Sequence, residues 1–161
     1  MFSSKGNPIY HIRGKIEYMI ITKDVFKKIE KIAHSKDVEI GGILGMKTNN
    51  VVSYFVADLP ENGLGCRFDY SPNIDFLNTQ IEKWAENDIQ FIGLFHTHFS
   101  GSKNLSDADI EYVKEIMMAS KGIAECLYFP LFTLPDNELT AYKACYNGEE
   151  IVIGKDTLNV I

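Results

Sequence analysis

One apolar run constrains this chain more than any other feature: Phe91-Ile92-Gly93-Leu94-Phe95, inside the segment Ile89 to His98. The run is far too short to span a bilayer and reads as a buried strand. Helical patterns flank it. Before it, Ser71-Pro72 offers an N-cap and a first-position proline for a helix expected to reach about Asn87, burying Ile74, Phe76, Leu77, Ile81 and Trp84. After it, a helix is expected from Ser106 to about Ser120. A third covers Lys23 to Ser35, where Val25, Phe26, Ile29, Ile32 and Ala33 recur at the 3.6-residue period.

Between these helices the chain reads as strands and turns. Residues 8–13 and 16–22 are extended, and Glu39 to Met46 and Val51 to Leu59 are strands joined by Thr48-Asn49-Asn50. A Gly-rich loop, Pro60 to Gly65, leads into a short strand, Cys66 to Tyr70. Three or four antiparallel strands follow near 125–133, 138–146 and 149–160. Neither repeats nor long linkers occur, so residues 1–161 read as one domain. The expected class is α/β, a mixed, mostly antiparallel curved sheet flanked by helices; the element order is not that of a doubly wound parallel fold.

Composition narrows the function. With 16 Lys+Arg against 22 Asp+Glu, the net charge is −6, which disfavours nucleic acid as the main partner because phosphate binding needs a basic face. The N-terminus lacks the apolar core of a secretion signal, so a soluble cytoplasmic protein without membrane partners is expected. Cys66, Cys126 and Cys145 show no Cys-x-x-Cys spacing and read as three reduced, mostly buried thiols. Neither His11 nor His34 carries a motif, and His34 reads as a favourable charge at a helix C-terminus.

Chemistry concentrates in His96-Thr97-His98 and, after seven intervening residues, Ser106-Asp107-Ala108-Asp109. Strand side chains at i and i+2 share a face, so His96 and His98 can present two imidazoles side by side. Asp109, in the first turn of the next helix, can bring a carboxylate over that strand end. Two imidazoles and a carboxylate suit zinc and leave a fourth position open, the mark of a catalytic site. Zinc draws the pKa of its water towards about 7, and Glu39 is the candidate acceptor of that proton. Ser106 can donate to the oxyanion on the attacked carbonyl. Ser106-x-x-Asp109 is equally a helix capping pattern, a role compatible with the catalytic one because it fixes Asp109.

At these residues the sequence resembles the JAMM (MPN+/JAB) zinc metallopeptidase family, whose pattern is an early-strand glutamate followed by His-x-His-Pro-x6-Ser-x2-Asp. Glu39 matches the general base, His96, His98 and Asp109 the Zn2+ ligands, and Ser106 the oxyanion-stabilising serine. Phe99 stands where that family has proline. The resemblance covers roughly Ile16 to Tyr146 and implies an MPN/JAB, cytidine-deaminase-like fold in a minimal prokaryotic-type domain. It further implies hydrolysis next to the C-terminal glycine of a ubiquitin-like protein. Such bacterial enzymes work with E1- and E2-like conjugation proteins, often in antiviral operons, or process sulfur carriers. The loop Pro60 to Tyr70 and the strand edge near Val51 are candidates for holding a Gly-Gly tail by strand addition. Two alternatives stand beside this reading: hydrolysis of small peptide or amino-acid conjugates, and a non-catalytic MPN scaffold.

Overall fold

A computed structural model describes residues 18–35, 37–59, 70–99 and 101–161. The calls for a strand at 8–13 and for the loop and strand between Pro60 and Asp69 fall outside these residues, as do His11 and Cys66. The elements run β1 (Met19–Ile21), α1 (Lys23–Ser35), β2 (Gly41–Met46), β3 (Val51–Asp58), α2 (Ile74–Ala85), β4 (Gln90–His98) and α3 (Asp107–Ala119). Six short strands close the chain: β5 (Cys126–Tyr128), β6 (Leu131–Thr133), β7 (Glu138–Thr140), β8 (Tyr142–Tyr146), β9 (Ile151–Lys155) and β10 (Leu158–Val160).

The strands form one sheet in the order β10-β1-β3-β2-β4-β5-β8-β9, with β6 beside the end of β4 and β7 beside β6. Strands β9 and β10 lie at opposite ends of this path yet are separated only by Asp156 and Thr157, so the sheet must curl strongly. The expected mixed, mostly antiparallel curved sheet is what the chain forms. The last third is less uniformly antiparallel than expected, because β5 and β6 pair parallel with β4 and β10 pairs parallel with β1. The expected open edge near Val51 is also corrected: Val51 and Val52 pair with Ile20 and Ile21 of β1.

Helices cover both faces. Val25, Ile29 and Ala33 of α1 pack with Leu44, Ile92, Phe95 and Phe132 on one side. Leu77, Ile81 and Trp84 of α2 and Val113, Ile116 and Met117 of α3 pack with Ile43, Phe91 and Leu94 on the other. Helix α2 begins later than its proline suggested. Asn73 is the N-cap, accepting from Phe76 N, while its own backbone N–H goes to Asp58 Oδ2 at 2.8 Å. Ser71-Pro72 is therefore held against the sheet and stays outside the helix.

Side chains along β4 alternate between the faces except at one point. Phe91 and Ile92 lie on opposite sides, but Leu94 returns to the side of Phe91 and Phe95 to that of Ile92. Strict alternation would have placed Leu94 with Ile92. The register with β2 shifts here, Leu44 facing Gly93 and Gly45 facing Phe91, so β4 carries one extra residue as a bulge. A side chain on Gly93 would collide with the carbonyl of Tyr128 on β5. Beyond the bulge, His96 and His98 take the face on which α3 lies.

The thiol expectation is overturned at one pair. Cys126 and Cys145 form a disulfide, 19 residues apart in sequence. They are direct cross-strand partners in the β5/β8 ladder, which brings their Cα atoms to 4.1 Å. None of the helices among the described residues is long and apolar enough to cross a membrane.

Candidate metal centre

The end of β4 is clamped between two strands. His96, Thr97 and His98 pair with Leu131, Phe132 and Thr133 of β6, and His96 faces Gly41 of β2. Thr97 N–H donates to the Ile40 carbonyl at 2.9 Å, and Ile40 N–H donates to Thr97 Oγ1 at 3.0 Å. The two histidines are thus fixed within the sheet and nearly buried, 4% and 8% exposed.

Asp109 reaches them from α3. His96 Nε2 lies 3.2 Å from Asp109 Oδ1, His98 Nε2 lies 3.2 Å from Asp109 Oδ2, and the two Nε2 atoms are 3.2 Å apart. Ligand atoms about 2.0–2.1 Å from a tetrahedral zinc ion are separated by about 3.3 Å, so the donor set and its spacing fit Zn2+. His98 Nδ1 lies 3.1 Å from the Ser102 carbonyl, which can only accept. In neutral His98 the proton therefore sits on Nδ1, leaving Nε2 free to act as a ligand.

Ser106 is the N-cap of α3. Its Oγ accepts from Asp109 N–H at 3.1 Å, and its N–H donates to Asp109 Oδ2 at 2.7 Å. The capping reading is thus correct, and the cap steers the same carboxylate that meets the histidines. Burial opposes the charge on Asp109, but hydrogen bonds from His96 and His98, the charge of His96 and the Ser106 N–H outweigh it and hold the carboxyl far below its usual range. Burial likewise opposes the charge on His98, yet Asp109, the Ser102 carbonyl and Glu39 together raise its pKa above the usual 6.5.

Glu39 lies just before β2. With Gly41 facing His96 and Ile40 facing Thr97, the antiparallel register carries Glu39 to the position opposite His98, on the same face. It is half-buried there, and its charge is felt by His98.

Two of the ligands, His96 and Asp109, border a cavity of about 170 Å³ that is also lined by Tyr70, Ser71, Pro72, Ala108 and Tyr112. Three of its features escaped sequence reasoning. Buried Asp58 accepts from Tyr70 Oη at 2.9 Å and from Asn73 N–H, pinning this wall to the sheet. Gly41 lets the Tyr70 ring lie against β2, since a Cβ would overlap that ring. Tyr112 also borders the cavity; its position three residues after Asp109, on the same helical face, was the available signal. Phe99, in the proline position, packs against the α1-side core. His34 makes a 2.6 Å hydrogen bond to Asn137.

No family model and no curated protein matches the chain. Solved structures do. Protein DSY2949 from Desulfitobacterium hafniense superimposes with a TM-score of 0.59 at 14% identity, over 89% of this chain and 93% of that one. AF2198 from Archaeoglobus fulgidus, described as a JAB1/MPN domain protein, gives a TM-score of 0.50 at 16% identity, over 89% and 98%. A structure described as a JAMM metalloprotease-like zinc site in the proteasome and signalosome gives 0.51 at 17%, over 89% and 98%. At these identities the likeness establishes the fold: the chain has the JAB1/MPN architecture, and its His-His-Asp group sits on it.

Proposed function

We propose that this chain is a zinc-dependent peptidase or isopeptidase that cuts after the terminal glycine of a ubiquitin-like protein. The observation that carries this reading is the triad itself: two Nε2 atoms and a carboxylate gathered at 3.2 Å beside a cavity. His96, His98 and Asp109 would hold the ion. Bound zinc supplies an acidified water and polarises the scissile carbonyl.

The protein groups do the rest. Glu39, opposite His98, takes the proton from the attacking water and returns it to the leaving amine. Ser106 Oγ, whose lone pair receives Asp109 N–H, keeps its own hydrogen for the oxyanion. The Ser102 carbonyl holds the His98 ring in its ligating tautomer.

An extended tail without side chains suits this site. Beyond Val52, no strand among the described residues pairs with the outer side of β3, and β3 ends at Asp58, opposite Gly41. A Gly-Gly tail adding along Ser53 to Asp58 would be delivered to the cavity, with the segment 60–69 as a further holding element. The substrate end implies E1- and E2-like conjugation proteins as partners in a bacterial ubiquitin-like or antiviral system.

The test is cleavage of a synthetic peptide carrying a Gly-Gly isopeptide bond to lysine, by wild type and by Glu39→Gln. Zinc-dependent cleavage that falls by several orders of magnitude in a Glu39→Gln protein still holding zinc supports the reading. A zinc-loaded wild type inert on isopeptide and peptide forms would return the domain to a scaffold or a small-conjugate hydrolase.

A further inference from the structure

Tyr112 follows Asp109 by three residues on α3 and borders the same cavity. Its ring packs edge-on against Phe129, with centroids 6.5 Å apart at 84°. Its hydroxyl is wholly buried yet has no hydrogen-bond partner among the described residues. The neighbouring Tyr70 hydroxyl is already committed to Asp58. Burial, with the charges of Asp58 and Asp109, keeps Tyr112 protonated throughout the working range, so it can offer a hydrogen. A buried, orphaned O–H is costly to keep, and phenylalanine would fill the same packing site without that cost.

We propose that the Tyr112 hydroxyl, covered in the free protein, is a substrate-binding donor that the acyl strand uncovers as it enters the cavity, giving its hydrogen bond to one of that strand's backbone carbonyl oxygens. A Gly-Gly tail has no side-chain acceptors, so its carbonyls are the only oxygens it can bring. The inference rests on the hydrolase reading and adds a residue to it. Tyr112 acts on binding, while Glu39 and the His-His-Asp group act on the chemical step.

The experiment is Tyr112→Phe, read in two ways: thermal unfolding of the metal-free protein, and steady-state kinetics of the zinc-loaded protein on the Gly-Gly-lysine isopeptide. The expected result is a Tm equal to or above wild type, with KM raised roughly tenfold and kcat within about threefold. A Tm lowered by several degrees would mean that the hydroxyl serves the fold, and would overturn the proposal. An unchanged KM beside an active wild type would also overturn it and leave the hydrolase reading standing. An inactive wild type would overturn the hydrolase reading and this inference together.

Discussion

Ser106 and Asp109 hold each other reciprocally, the serine N–H donating to the aspartate Oδ2 and the aspartate N–H donating to the serine Oγ. One box thus starts α3 and aims a metal ligand. Ser106→Ala removes half of it. We expect a loss of about 1 kcal/mol in denaturant unfolding. Turnover should fall roughly a hundredfold if the hydroxyl also serves the oxyanion. Lost stability with intact turnover would confine Ser106 to capping.

Metal content is the most direct check on the triad. Wild type purified with zinc should hold about one ion per chain, and His98→Ala should hold little. Chelation should lower the Tm of wild type and leave that of His98→Ala nearly unchanged, because only a protein that binds the ion gains stability from it. Equal zinc in the two proteins would dissolve the site.

Acid should release the metal earlier than an ordinary histidine would suggest. In the metal-free protein, the raised His98 pKa means that this ring takes up a proton already above pH 6.5. The proton competes with the metal for Nε2, so zinc affinity is fully expressed above the raised pKa and falls as pH drops through it. Competition titrations with a chromophoric chelator between pH 8 and pH 6 measure this directly. A flat profile across that range would contradict the assignment of His98 as a ligand.

Gly93 should tolerate nothing larger. A Cβ there meets the backbone of Tyr128, which cannot swing away as a side chain would. Gly93→Ala should cost at least about 3 kcal/mol or prevent folding. Gly154→Ala in β9, where the added methyl meets open space, should stay within about 1 kcal/mol.

The Cys126–Cys145 bridge closes a loop whose ends are 19 residues apart. Reduction should add two mass units to the non-reduced protein and lower its stability by about 3 kcal/mol. Cys126→Ser should show the same lower stability with or without reductant.

What could be read from the sequence followed from local periodicity. His96 and His98 share a face because strands repeat every two residues, and Asp109 falls in the first turn of a helix whose cap is written beside it. The first helix was visible from its apolar spacing and the second from its Ser71-Pro72 start, though α2 starts at Ile74 because Asp58, 15 residues before Asn73, captures that residue's N–H. The features that escaped notice depend on partners remote in sequence. Cys126 meets Cys145 only through the β5/β8 register. The wall formed by Tyr70, Gly41 and Asp58 likewise joins three separate segments.

The extra residue in β4 sets the parity of the strand. Every side chain after Gly93 sits on the side opposite to the one that counting from Phe91 would assign. The same residues paired without the bulge would turn both imidazoles towards α1, onto the side of Phe95 and Ile92, and leave the Asp109 carboxylate facing Thr97; loss of the extra residue together with the bulge would keep both imidazoles towards α3. A single deletion here is therefore tolerable where it removes the bulge itself. In any chain that shares this site, the number of residues between the start of β4 and its first histidine and the presence of the bulge should change together.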